Sequence, residues 1–490
     1  MSVSANIKKK PYYKWIVFTV VSVGTFMATL DSSIVNVALP TISKAFGVGK
    51  GQLQWAVTGY LLTISSLLLA FGRLADIIGK NKVYAAGFLG FILGSALCGS
   101  ANNVWQLVGF RVFQAVGAAM MMANGMGLIT SIFPPFERGR ALGTVGTVVA
   151  LGSLTGPSLG GVLVSSLGWK SIFYINIPIG VIGFIAAVIF LPRDKDIVKR
   201  QSFDYIGALL FGGAITLFLM SLSKGQELGW GSPRVLAQII LSVFFFILFF
   251  VTEVKVRQPM TDLSLFRNRL FLAGNAAGFL SFVAMSFVFF MVPFYLAEVL
   301  GLKPMQMGLI MTASPLVMAV VAPFSGWLSD RVGPMFLTAG GLALNALGLY
   351  FLSTVSTSTT PLSVAWRIGL IGFGAGMFQS PNNSSVMGTV PLPKLGISGG
   401  VLATIRNVGM VVGTALSVTI FNTRYAALKQ VLPWQQAYVK SLSAAFITAS
   451  VIALIGMAVS LVRGADKKAG RGPDGELGPG KNDMGKRDTA

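Results

Sequence analysis

The 490 residues are 54% hydrophobic and only 11% charged, too apolar for a chain that must cover a soluble surface with charge. Lys plus Arg number 38 against 16 Asp plus Glu, a net charge of +22, which in a soluble domain would point to nucleic acid. The absence of His and a single Cys, Cys98, exclude an intrachain disulfide, a Cys/His zinc site and any Ser-His or Cys-His catalytic pair. Proton chemistry near neutral pH then falls to carboxylates.

Residues 1–14, with Lys8, Lys9, Lys10 and Lys14, form an N-terminal tail before an apolar run. That run is too long for a signal peptide, holds Asp31 and lacks a small-residue cleavage pattern, so it reads as a first membrane span. A bilayer core of about 30 Å takes about 20 apolar residues per helix. Fourteen such stretches follow one another at 15–38, 53–72, 83–101, 104–130, 141–165, 171–191, 204–222, 235–252, 271–296, 306–327, 335–354, 363–380, 397–421 and 438–462. The expected fold is therefore an all-α polytopic membrane protein. An even count sets both termini on one side; most of the 38 Lys and Arg lie in the tails and loops of that side, and the positive-inside rule makes it the cytoplasm. The basic charge is a topology signal first and an attraction to anionic lipid second, with no nucleic-acid partner expected. Residues 463–490, rich in Gly and charge, are expected to be a disordered cytoplasmic tail.

The spans repeat. GRLADIIGK at 72–80 is echoed by GWLSDRVGP at 326–334: Gly72 and Gly326, Asp76 and Asp330, Gly79 and Gly333 share the pattern G-x-L-x-D-x-x-G. Each follows the second span of a six-span set once spans 7 and 8 are set aside. The chain then divides into a six-helix unit at 15–191, two inserted helices with linkers at 192–270 and a second six-helix unit at 271–462, an arrangement of 6 + 2 + 6 that suits a transporter with a central site between its halves.

Span 5 carries the sharpest pattern. Gly143, Gly152, Gly156, Pro157, Gly160 and Gly161 spell G-x8-G-x3-G-P-x2-G-G. Glycines every four residues make a groove where another helix backbone approaches, and Pro157 removes a hydrogen bond and bends the helix.

With these motifs the chain resembles the major facilitator superfamily and, within it, the fourteen-span drug:proton antiporter family of the bacterial multidrug-efflux type. The Gly/Pro run resembles that family's fifth-span antiporter motif, and GRLADIIGKNK at 72–82 its loop between spans 2 and 3. LDSSIVNVALP at 30–40, GFRVFQAVGAA at 109–119 and WKSIFYINIPIG at 169–180 resemble its signatures in spans 1, 4 and 6. The likeness runs from about residue 15 to 462. Ala115, Ile77 and Asn81 depart from the pattern, standing where the family more often has Gly, a basic residue and an unbroken basic run. The resemblance implies alternating access, export against proton entry, and spans 1 and 4 as cavity walls.

Few charges lie inside the spans: Asp31, Arg111 and Arg406, with Glu298 near the outer end of span 9. A charge in hydrocarbon is expensive, so each is a functional candidate. Asp31 lies about 24 Å from the cytoplasmic face and Arg111 about 10 Å from the outer face at 1.5 Å per residue, close enough in depth to interact. Asp31 reads either as a protonatable, cation-attracting carboxylate or as half of an ion pair tying spans 1 and 4. Arg111 either orients Asp31 or a substrate group, or clamps the helices. Arg406, about nine residues into span 13, answers carbonyls or water, or is structural; Glu298 is a vestibule site or a solvated helix end. Asp76, with Gly72, Arg73, Gly79 and Lys80, sits at a helix end where charge-assisted bonds can latch one conformation. Trp55, Tyr60, Phe110, Phe113 and Gln114 are candidates for an aromatic and amide cavity wall suited to lipophilic cations, and Pro381-Asn382-Asn383 for a broken end of span 12.

The sequence thus predicts a monomeric, multi-pass transporter of a bacterial inner membrane. It is expected to need no cofactor or metal, to have no enzymatic centre, and to export organic compounds, lipophilic and cationic drugs above all, in exchange for protons. The alternative is a dedicated exporter of one metabolite or amphipathic lipid.

Overall fold

The computed structural model describes residues 12–192, 205–229, 231–255, 263–390 and 395–462, and the regular structure among them is helical. The expected tail at 463–490 and most of the expected tail at 1–14 lie outside these residues. A first group comprises α1 (Tyr13–Phe46), α2 (Lys50–Ile78), α3 (Lys80–Ser100), α4 (Val104–Ile132), α5 (Pro135–Leu167), the short α6 (Ser171–Tyr174) and α7 (Asn176–Phe190). Two helices follow, α8 (Tyr205–Leu228) and α9 (Pro233–Lys255). After a 3-10 turn at Leu263–Arg267 come α10 (Arg269–Glu298), α11 (Pro304–Met311), α12 (Ala313–Val332), α13 (Pro334–Ser353), α14 (Pro361–Gly388), α15 (Leu395–Leu428) and α16 (Trp434–Leu461).

Twelve helices or joined helix pairs among the described residues are long and apolar enough to cross a membrane, which makes the chain a multi-pass membrane protein. The expected count was fourteen, and α2 and α8 are the two outside this set. Among the described residues of α8, Leu209–Phe218 is a shorter apolar helix segment.

Proline explains the two broken spans. Pro178 has no N–H for the Tyr174 carbonyl, and Pro315 none for Met311, so α6 gives way to α7 and α11 to α12 at these points. Glycine explains two of the tight connections. Gly79 (φ 110°) separates α2 from α3 and Gly333 (φ 84°) separates α12 from α13, a left-handed backbone that a Cβ would strain.

The same neighbour pattern occurs twice. α1 packs on α5, α2 and α3 on α4, and α3 on α7; in the same way α10 packs on α15, α12 and α13 on α14, and α13 on α16. The first glycine of each repeated loop motif meets the equivalent helix: a Cβ on Gly72 would reach Ala123 of α4, and one on Gly326 would run into Ser380 of α14.

Between the groups the contacts run from α2 to α15, from α5 to α11 and α12, and from α1 to α10. The Gly/Pro run of α5 has two faces. Any Cβ at Gly152, Gly156 or Gly160 would collide with α1 at Thr29, Ser33 or Ile34, whereas Gly161 and the Pro157 carbonyl lie against Gly308 of α11. Small residues let the backbones touch where lipid offers no hydrophobic drive for helices to associate. Gly143 lies further down the same helix. α8 packs on α9, on α2 and on α15, so α8 leans on both groups.

Candidate transport site

A small cavity of about 20 Å³ lies between the groups, with the room one water needs. Ser32, Val35 and Asn36 of α1, Val57, Tyr60 and Leu61 of α2, and Arg111 of α4 line one side; Ser286, Phe289 and Phe290 of α10 with Met410 and Thr414 of α15 line the other. Helical periodicity selects these side chains: Ser32 and Asn36, Val57 and Leu61, and Met410 and Thr414 are pairs four residues apart, each on one face of its helix.

Behind Arg111 lies a buried polar cluster. Asp31 is 0% and Arg111 1% exposed. Arg111 Nη1 donates to Asp31 Oδ2 at 2.5 Å and to Gln114 Oε1 at 2.7 Å, while its Nε donates to the Ala56 carbonyl at 3.2 Å. Gln114 Nε2 donates to Asp31 Oδ1 at 3.0 Å and to Ser95 Oγ at 2.8 Å, and Asn176 Nδ2 donates to the same Asp31 oxygen at 2.9 Å. The guanidinium lies 3.8 Å from the Tyr60 ring centroid. Both carboxylate oxygens are therefore taken, one by a cation and one by two amides, which is how a charge survives desolvation. The break between α6 and α7 delivers the last donor, because it places Asn176 at the first turn of α7.

The other expected residues are distributed as follows. Tyr60 and Arg111 line the cavity and Gln114 joins the cluster. Phe113, expected in the wall, is instead 45% exposed, because two residues past Arg111 means about 200° around the helix. Trp55 and Phe110 are half-buried and outside the lining. Arg406 is partly buried on α15, eight residues before Thr414. Glu298, at the end of α10, accepts from Lys50 Nζ of α2. Gly72, Arg73, Gly79 and Lys80 cluster at the junction of α2 and α3, where the Lys80 side chain lies against Gly127 of α4. Asp76 lies in α2 and Asp330 in α12, with their side chains outside the described set. Asn382 and Asn383 lie within α14, which runs unbroken to Gly388, so the expected break of span 12 is absent.

Sequence reasoning missed Asn176, Ser95 and Lys50. Asn176 had a signal, a polar residue two positions before the Pro178 break. Ser95 and Lys50 had none, since nothing local in their segments marks them as partners of distant groups.

A model of the Major Facilitator Superfamily matches residues 21–414. The chain belongs to that superfamily. It is 37% identical over 456 residues to the riboflavin transporter RibZ of Clostridioides difficile (strain 630), covering 93% of this chain and 99% of that one. It is 31% identical to the multidrug transporter protein MdtP of Bacillus subtilis (strain 168), over 84% of this chain and 75% of that one. Among solved structures it is similar to a bacterial homologue of the human lysosomal transporter Spinster in an inward-facing, unoccupied conformation. That likeness has a TM-score of 0.62 and 14% identity, over 93% of this chain and 97% of that one. As a major facilitator the chain is a transporter and not an enzyme, and it takes small molecules within the membrane.

Proposed function

We propose that this major facilitator is a secondary exporter that moves small organic compounds outward in exchange for protons by alternating access. In this reading it crosses a cell membrane fourteen times as 6 + 2 + 6, with both termini cytoplasmic. The doubled neighbour pattern and the paired Gly79 and Gly333 junctions support two six-helix units, and the lean of α8 on both units supports an inserted pair. The cavity is far smaller than any organic cargo, so cargo enters after the units rock apart.

One observation carries the coupling: the Asp31 carboxylate is sealed behind the guanidinium that lines the cavity. While ionised, Asp31 holds Arg111 in the cavity wall where cargo meets it; protonating Asp31 removes the charge that holds Arg111, the guanidinium leaves the wall and cargo is released. Proton and cargo thus compete for Arg111, and a cation has no direct path to a carboxylate that is 0% exposed and fully bonded. Each entering proton supplies about 2.3 kcal/mol per 100 mV.

The narrower alternative, a dedicated exporter of one metabolite, draws on the 37% identity to a protein named a riboflavin transporter.

The test uses proteoliposomes containing a pH-sensitive dye, exposed to riboflavin and to a panel of neutral and charged drugs, with Asp31→Asn beside the unaltered protein. A cargo-dependent proton flux lost in Asp31→Asn, with cargo counterflow retained, is the expected result. Cargo uptake without proton flux overturns antiport, and intact proton-driven transport in Asp31→Asn overturns the role of Asp31. A response confined to riboflavin favours the dedicated exporter.

A further inference from the structure

We propose that the site takes an aromatic compound bearing an anionic or carbonyl acceptor, and that Arg406 is the side chain that binds that acceptor. The inference rests on the central cavity being the transport site and adds the charge of the cargo.

The argument begins with helix register. Arg406, Met410 and Thr414 recur every four residues on α15, and Met410 and Thr414 line the cavity. Arg406 therefore lies one turn, about 6 Å, along the same stripe, within reach of the cavity for a side chain of its length.

The two arginines near the cavity differ in their partners. Arg111 bonds Asp31, Gln114 and the Ala56 carbonyl and stacks on Tyr60. Among the described residues Arg406 makes no hydrogen bond, ion pair or ring contact. A guanidinium carries five N–H donors and no acceptor, and the partly buried Arg406 side chain keeps its donors open to an incoming group. The neighbouring Asn407 adds a second donor: it is 2% exposed and its Nδ2 has no partner. It flanks the same stripe about 100° around from Arg406.

Among the described residues no carboxylate pairs with Arg406. Asp31 is consumed by its three donors and Glu298 is paired with Lys50 at the helix end. The cavity region thus carries unspent positive charge and unspent donors. Tyr60, Phe289 and Phe290 stand on its wall, and aromatic faces accept a planar ring. A cationic compound would meet repulsion from Arg406, whereas a planar compound with a carboxylate, phenolate or carbonyl would satisfy it.

Fluorescein and rhodamine 123 test this, since they share a fused tricyclic ring and differ in charge. Equilibrium binding of each to the purified full chain is read by fluorescence anisotropy, in the unaltered protein, Arg406→Gln and Arg406→Lys. Unaltered protein is expected to bind fluorescein more tightly than rhodamine 123. Arg406→Gln should weaken fluorescein by about ten- to a hundredfold, the range of a charge-assisted hydrogen bond, and leave rhodamine 123 unchanged or tighter. Arg406→Lys should recover part of the loss. Tighter binding of rhodamine 123 by the unaltered protein overturns the proposal without recourse to any variant, as does fluorescein binding unmoved in a monodisperse Arg406→Gln. Binding needs neither a proton gradient nor turnover, so a failure of proton exchange in the liposome experiment leaves this result standing, and the converse also holds.

Discussion

Lys50 Nζ lies 2.8 Å from Glu298 Oε2, and this ion pair joins α2 of the first helical group to α10 of the second. The same ammonium stands 4.8 Å from the Phe294 ring, 5.2 Å from Phe421 and 4.8 Å from Tyr438, so three aromatic faces and a carboxylate hold one lysine. Every partner except Lys50 belongs to the second group, which makes the lysine a peg from one unit in a socket of the other.

If the peg closes that end of the bundle, Lys50→Gln should open it more often. With Ser286→Cys placed in the cavity wall, labelling by a membrane-impermeant maleimide from that side should speed up about fivefold, corresponding to about 1 kcal/mol for a partly exposed pair with cation-π support. Cys98, the sole native cysteine, is buried and provides a silent background. An unchanged labelling rate would show that the pair does not bear on opening.

The Asp31–Arg111 pair should behave as one unit. Arg111→Leu leaves a buried carboxylate facing only amides and should lower stability by about 3–5 kcal/mol. Asp31→Leu combined with Arg111→Leu should cost much less than the two single changes added together. Thermal unfolding in detergent across the four proteins measures the difference, and additivity would contradict the pairing.

Asn176 offers a rank order. Asn176→Leu removes one donor from Asp31 Oδ1, worth about 1.5–3 kcal/mol for a bond to a charged group. Asn176→Asp sets a second carboxylate at hydrogen-bond distance and should be worse unless it takes up a proton. Thermal midpoints should therefore fall in the order unaltered, Asn176→Leu, Asn176→Asp at pH 8, and the last two should approach each other on acidification.

Gly308 should be intolerant of any side chain. A Cβ there would run into the Pro157 carbonyl and the Gly161 Cα of α5, backbone atoms that cannot rotate away. Gly308→Val should cut transport about tenfold or more, the 1–3 kcal/mol of an overpacked contact, while circular dichroism stays helical. Full transport by Gly308→Val would mean that α5 and α11 need not touch during the cycle.

Apolar length was legible in the sequence, because twenty unbroken apolar residues have few fates other than a membrane helix. The fourteen stretches fall on helices, the split ones broken at Pro178 and Pro315, and twelve of these helices or joined pairs are long and apolar enough to cross a membrane among the described residues. Rotation about the helix axis was not legible. α4 is apolar nearly all round, so nothing in its sequence says that Arg111 faces inward while Phe113 faces outward. Partners across the bundle were equally hidden: Asn176 and Asp31 are 145 residues apart in the chain and Lys50 and Glu298 are 248 apart. Depth arithmetic brings Asp31 and Arg111 to a common level, but it has no means of choosing the amides that complete their shell.

The lean of α8 on both α2 and α15 makes the molecule lopsided. Where those two helices meet, a third covers the joint, and α9 stands outside it with much of its apolar surface uncovered. A compound dissolved in the surrounding lipid therefore meets α8 and α9 before it meets the joint of α2 and α15.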